Sequence, residues 1–449
     1  GTEESKLARW IWAHVYGEKA SYDIRSDHSD DMSTILWYDS SVALENPGNY
    51  LDNTGYFDHG GWYVYRTGWQ DEVESDDVMF EFYSGKFFGG HNQEDKNQFT
   101  MYEGDSLFFT DSGPASDSLY YPTEYHNLIL IDGEGQVSQT SNCGSDGNIT
   151  NYFYSSGMDF LTGDNSFAYT QFSDYNSEST HCDEGSFNPV DKSERNVLVV
   201  KDFFGEPYFV MVDDIKKDSS NRDYSLKFQN SLGTSYTYGD EIELNKNGRD
   251  SSLYFVNPDI NDLNIVESSH GREQVLNVDY TSVSPFFVYA MIPSSSGSQV
   301  FEKLVVEGGF GFSVSRNNIR DVVLISLESS GVSYGDVSSD GKFIYLRYED
   351  DVLNKYSVLN GSDLIISGVD YLDVSSDSSV YSNGSDVYIQ EELDYKIYGP
   401  NVENVYLGDT ELPFEKIDDY IYPIYSCVDR DEDGYFDEVC GGDDCYDSY

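Results

Sequence analysis

The densest group of residues able to do chemistry lies at 427–449, CVDRDEDGYFDEVCGGDDCYDSY. Asp429, Asp431 and Asp433 occupy alternate positions and Gly434 follows them. Alternation lets three carboxylates converge on one hard cation, and Gly permits the sharp turn, which is the first half of an EF-hand-type calcium loop. Tyr435 would offer its carbonyl and Asp437 sits at the ninth position. The twelfth position is Cys440 where a bidentate acid is usual, and Asp443, Asp444 or Asp447 could supply that ligand instead. Calcium is the expected cofactor, with a solvated acidic tail as the alternative. A second group centres on histidine: His91 in GGHNQEDKNQFT and His126 in TEYHNLILIDGEGQ, with Asp111 between them in the chain. A neutral imidazole suits proton transfer near pH 7 and an imidazolium suits a carboxylate. The plain alternative is a loop His making one hydrogen bond.

The elements that must position these groups are almost all strands. Leu7, Trp10, Ile11, His14 and Val15 mark one helix face, with Gly17 as a stop, and a short second helix is expected from Met32 to Tyr38. From about Tyr56 to Leu407 the pattern is β, with apolar runs such as Val197–Val200, Tyr208–Val212 and Phe286–Ile292 set between Gly/Ser/Asn/Asp turns. Many strands without crossover helices mean antiparallel sheets packed as sandwiches. The expected fold is mainly β: a helical segment over 1–50, a large antiparallel sandwich (a supersandwich) over 51–330, a smaller one over 331–422 and the Cys/Asp-rich loop over 423–449. The Ser-rich seam Ser329–Ser339 sets the boundary between the two sandwiches.

The 449 residues carry 26 Lys+Arg against 82 Asp+Glu, a formal charge of −56. That balance excludes a nucleic-acid partner, since phosphates are bound chiefly by Lys and Arg. Aromatic residues reach 16%, far from the composition of a disordered acidic chain. No apolar run is long enough for a membrane-spanning helix. Solubility in high salt, a halophilic trait, accounts for the surface, and binding of many divalent cations is the other cause. Cys143 and Cys182 lie in Gly/Ser/Asp/Asn-rich loops and could pair with each other as a disulfide, while Cys427, Cys440 and Cys445 crowd the end. With the sequons at Asn148, Asn360 and Asn383, they point to a secreted or cell-surface protein. The sequence begins at Gly1, so a processed or trimmed piece of a longer chain is expected.

Between Gly60 and Gln136 three motifs follow one another: GGWYVYRTGW, GGHNQEDKNQFTMYEGDSLFFTDSG and TEYHNLILIDGEGQ. This order resembles the β-sandwich region of heparinase II/III-like polysaccharide lyases. The matching residues are Arg66, Gly68 and Trp69; Gly90, His91 and Asp95; Asp111 and Gly113; His126 and Asn127; Asp132, Gly133 and Gln136. RNVLVVKDFFGEPYFVMVDDI (195–215) looks like the strand pair that follows in that family. The resemblance implies an (α/α) toroid ahead of the sandwich, of which 1–50 would be the last remnant. It also implies β-elimination on a uronate-containing anionic polysaccharide, whose carboxylate and enolate-like intermediate must be neutralised. His91 would be the catalytic group contributed by the sandwich, and Arg66 and Asn127 the substrate contacts. A structural ion pair is the competing role for Arg66. In some members the counterparts of Gln93, Asp111 and His126 bind a structural zinc. Gln93 departs from that pattern, because an amide is a poor zinc ligand, so a degenerate site with Asp111 and His126 as a buried hydrogen-bonded pair is expected. The toroid would be supplied upstream, by a separate chain, or replaced by self-assembly. The 427–449 stretch further resembles Cys/Asp-rich metal-binding repeats of secreted microbial proteins. The alternative function is a non-catalytic cell-surface carbohydrate-binding or assembly protein.

Overall fold

Along the central strands successive side chains bury in opposite directions, and this alternation sets the architecture. The computed structural model describes residues 6–7, 45–69, 76–87, 92–111, 122–137, 144–172, 187–203, 205–270, 273–293, 299–327, 331–391 and 394–424. In strand Glu206–Lys216, Phe209 and Met211 enter one apolar core while Tyr208, Val210 and Val212 enter another. Val197 and Val199 against Leu198 and Val200, and Tyr289 and Met291 against Val288 and Ala290, divide in the same way. A strand buried on both faces must read as a continuous apolar run. That is why these three segments lack the polar alternation of a half-exposed strand.

These strands belong to an eight-stranded sheet that forms the middle layer. One face is covered by a five-stranded meander, running from Thr54–Phe57 to Ser106–Phe109, and by a four-stranded sheet that includes Ile129–Ile131 and Arg222–Ser231. The other face packs against a sheet of fourteen strands that starts at Val300–Leu304 and ends at Tyr420–Pro423. A third core lies within this last assembly, around Leu346, Val358, Val380 and Ile397. Asp386–Ile389 and Asn404–Leu407 pair in parallel, and every other pairing among the described residues is antiparallel. The chain is therefore mainly β with antiparallel sheets in layers, as the sequence pattern implied.

Sheet membership changes near Val300 rather than in the Ser-rich seam. Ile319–Ser326 pairs with Phe343–Glu349 across that seam, Val322 opposite Leu346 and Leu324 opposite Ile344, so the two stretches share one sheet. The Ser-rich stretch itself carries a short hairpin, Val332–Tyr334 paired with Val337–Ser339, and composition could not show which strands meet across it. Of the expected helices only residues 6–7 are described, and both are helical. The rest of those two segments, like 427–449, lies outside the described residues. Among the described residues no helix is long and apolar enough to cross a membrane.

Candidate functional site

Described motif residues of the second and third stretches, Gln98 and Asn127 among them, meet at a buried polar network beneath the first sheet. At its centre is Asn127, which has no exposed surface. Its Nδ2 donates to the carbonyls of Phe99 and Thr110, each at 2.8 Å, and its Oδ1 accepts from Gln229 N at 2.6 Å. Its own N–H donates to Gln98 Oε1 at 2.6 Å. Three strands and the turn before Ile129–Ile131 are thus stitched by one amide whose donors and acceptor all point into protein. The expectation that Asn127 touches substrate is corrected: a side chain this enclosed holds strands together.

Arg195 lies against the same point. Its Nε and Nη2 pair with the two oxygens of Asp213 at 2.5 and 3.0 Å, and Nη1 donates to the carbonyls of Asn97 at 2.7 Å and Asn127 at 2.6 Å. Tyr289 Oη adds a third donor to Asp213 at 3.2 Å. Burial alone would lower the guanidinium pKa, and the Asp213 charge overcomes it, so Arg195 is held well above its ordinary value. A bidentate, fully hydrogen-bonded pair of this kind is the form in which a buried charge is tolerated.

Asp111 and His126 come together as well, with His126 Nδ1 3.0 Å from Asp111 Oδ1. Asp111 follows strand Ser106–Phe109, and His126 closes the 3-10 turn Thr123–Tyr125. The imidazole is wholly buried, while the Asp111 side chain is about a third exposed. A ring without exposed surface cannot reach a polymer, so this pair joins two segments. A closed zinc site takes four donors. Asp111 and His126 supply two, and no group of three or more His, Cys, Asp or Glu side chains among the described residues is arranged to hold a metal. Gln93 offers an amide oxygen that is buried.

The segment after His91 is fixed by backbone mimicry. Lys96 N donates to Gln136 Oε1 at 3.1 Å and Gln136 Nε2 returns a bond to Lys96 O at 2.8 Å. Glu94 Oε2 accepts from Thr123 N and Oγ1 at 3.0 and 3.1 Å. Asp132 and Gly133 both have positive φ, +55° and +82°, which is the turn chemistry an Asp-Gly pair supplies. The Asp132 carboxyl is held below its ordinary value: slight burial opposes this, and the Asp223 N–H, Lys217 and Arg222 outweigh it. The contacts of Arg66 are those of the structural alternative. It donates to Gly68 O, lies 3.6 Å from Asp77 Oδ2 and stacks 3.9 Å over the Trp69 ring. Burial pulls its pKa down, with Asp77 opposing. His91, Cys143, Cys182, Asp429, Asp431, Asp433, Tyr435 and Asp437 lie outside the described residues.

A separate open feature lies elsewhere. A cleft of about 860 Å³ opens where the first sheet, the edge strand Asn148–Tyr154 and the fourteen-stranded sheet approach one another. The Tyr56 and Tyr152 rings pack with centroids 4.2 Å apart, tilted by 32°, and Tyr154 continues the row, stacked 5.7 Å from Tyr152. Tyr388, itself stacked on Tyr406 at 5.1 Å, comes from the fourteen-stranded sheet. Beneath them Asp159 is fully buried, accepting from Tyr63 Oη at 2.7 Å and Thr54 Oγ1 at 3.1 Å, with Lys201 Nζ at 2.7 Å. The sequence signal for this cleft was faint. Tyr152 and Tyr154 sit two apart on one strand face, but their partners lie about a hundred residues before and more than two hundred after.

No protein-family model matches the sequence, and no curated protein sequence matches it. Among solved structures, the chain is similar to the heparan sulfate lyase HepC from Pedobacter heparinus, at 15% identity and a TM-score of 0.47 over 73% of this chain and 49% of that one. It is likewise similar to a heparinase III, at 14% identity and a TM-score of 0.45 over 78% of this chain and 48% of that one. The chain spans about half the length of each.

Proposed function

We propose that this chain is the β-rich portion of a secreted or cell-surface polysaccharide lyase. It would act by β-elimination on a uronate-containing polysaccharide, with the helical toroid completing the reaction. What supports the reading is that Gln98, Asp111, His126, Asn127 and Gln136, drawn from two of the sequence motifs, take part in the hydrogen-bonded frame around the segment following His91. Such rigid support is what a group needs if it is to meet a substrate in one geometry. His91 is the residue of this chain assigned to the reacting sugar, either neutralising the uronate carboxylate or exchanging a proton with it. The base and acid at C5 and the leaving oxygen come chiefly from the toroid.

The test is the full polypeptide encoded by the gene, incubated with alginate, heparan-type and chondroitin-type polymers while the ultraviolet absorbance of the unsaturated product is followed. Activity on one of them that His91→Ala reduces at least tenfold is the expected result. Silence on all three favours a non-catalytic carbohydrate-binding or assembly protein. The C-terminal loop is assigned calcium through Asp429, Asp431, Asp433, Tyr435 and Asp437. Calorimetric titration should give a stoichiometric calcium event that Asp431→Ala removes, and an unchanged isotherm refutes the assignment.

A further inference from the structure

The tyrosine cleft has a chemistry of its own. We propose that it is a binding site for an uncharged glycan chain, separate from any uronate-processing groove and independent of the lyase reading. The wall formed by Tyr56, Tyr152 and Tyr154 presents a row of half-buried rings, and Tyr388 comes from the fourteen-stranded sheet. Aromatic rings with one apolar face and one polar edge suit a ligand that alternates C–H faces with hydroxyls. Asp52, Asp202 and Asp409 are exposed among the lining residues, where carboxylates accept from sugar hydroxyls.

Charge decides which glycan. Lys201 is the one cation among the described lining residues. Its ammonium lies 2.7 Å from buried Asp159 and donates to Ser155 O at 2.8 Å. A uronate or sulfated chain would therefore meet three carboxylates without a cation to answer its own charge. The phenols stay neutral donors, since burial and then the neighbouring Asp58 push Tyr56 up to about 12, and burial and then Asp159 raise Tyr152 further. The volume falls within the ~300–1,000 Å³ of small-ligand sites, room for a short stretch of oligosaccharide.

The test is calorimetric titration of the full chain with hexasaccharides of cellulose, xylan, mannan and laminarin, alongside oligogalacturonate, a heparan-derived oligosaccharide and chitosan oligomers. At least one uncharged hexasaccharide should bind, with an affinity insensitive to salt between roughly 0.1 and 1 M, because no ion pair is screened. Tyr154→Ala should weaken it about tenfold, Tyr154→Phe should keep most of it because the ring remains, and Asp409→Asn should cost several-fold. Tyr238→Ala, on a strand outside the cleft, should leave it unchanged, and circular dichroism of each variant separates loss of fold from loss of site. Failure of every uncharged hexasaccharide to bind overturns the proposal. So does tighter binding of the anionic or the cationic oligomers, or an unaltered affinity in folded Tyr154→Ala.

Discussion

Replacing Asn127 with Ala separates a strand-joining role from a substrate contact. The side chain makes three hydrogen bonds, to Phe99 O, Thr110 O and Gln229 N, with no exposed surface. Each is worth about 0.5–1.5 kcal/mol net, but Ala also leaves two carbonyls and one N–H buried without that partner, at about 1–3 kcal/mol each. A small cavity remains, and water entering it would recover part of the loss. The expected destabilisation is about 3–6 kcal/mol, a large share of the ~5–15 kcal/mol typical of a folded domain. Urea unfolding followed by tryptophan fluorescence measures it as a lowered midpoint with an unchanged slope. Asn127→Asp should fare little better, because a carboxylate oxygen would then face the carbonyls that now accept from Nδ2. A loss below about 1 kcal/mol for Asn127→Ala, or a loss of polysaccharide affinity with stability intact, would refute the reasoning.

Other expectations follow from the same geometry. Arg195→Met leaves Asp213 buried without its charge partner and should cost about 3–5 kcal/mol, whereas replacing Arg195 and Asp213 together by apolar residues should cost much less; equal losses would show that the pair is not coupled. Tyr63, Tyr208, Tyr289 and Tyr345 are buried phenols with pKa values raised above the ordinary value of ~10, chiefly by desolvation. Their neutral forms are favoured in the fold, so this stability is fully present below pH ~10 and is lost as pH rises further, when the unfolded chain ionises and the folded one does not. Phenolate absorbance should therefore rise cooperatively with unfolding, and smooth reversible titration of all the tyrosines near pH 10 would contradict it. With a formal charge of −56, the melting temperature should climb by roughly a few degrees from ~0.1 to ~1 M NaCl as the Debye length falls from ~10 to ~3 Å; a fall in melting temperature would remove self-repulsion as the cause of the acidic surface's salt response.

Strand content was legible because it depends on local pattern, and the doubly buried segments Val197–Val200 and Tyr208–Val212 stood out as unbroken apolar runs. The pairing of Asp111 with His126 was suggested by motif order, although the short strands they flank, Ser106–Phe109 and Ile129–Ile131, lie in two different sheets. Asn127 was misjudged for a physical reason. An Asn beside a His reads as a polar group aimed at a ligand, and only the register of three strands reveals carbonyls waiting on every side of it. Arg195 stood in a quoted stretch without a role, because its partner Asp213 lies across a hairpin on the neighbouring strand, directly opposite in register. The tyrosine cleft gave only a faint signal for the same reason on a larger scale. Tyr56, Tyr152, Lys201, Tyr388 and Asp409 become neighbours only after three sheets have packed.

The strand Glu206–Lys216 makes the layers one unit. Its inward face carries Asp213 to Arg195, and its outward face carries Tyr208 Oη to Asp321 Oδ2 at 3.1 Å, where Arg347 closes a second bidentate pair at 2.6 and 2.7 Å. Removing everything from Val300 onward would bare Leu198, Val200, Val210, Val212, Val288 and Ile292, all now buried against the fourteen-stranded sheet. At about 1.5–3 kcal/mol for each side chain, that exposure is worth about 9–18 kcal/mol, as large as the whole stability of an ordinary domain. The central sandwich should therefore not persist as a soluble monomer when cut before Val300, despite having a complete core on its other face. Expression of 45–299 should yield aggregate or a chain without protected amides in hydrogen exchange. A soluble truncated monomer with the full chain's protection along Lys192–Phe203 and Glu206–Lys216 would show that the layers fold independently.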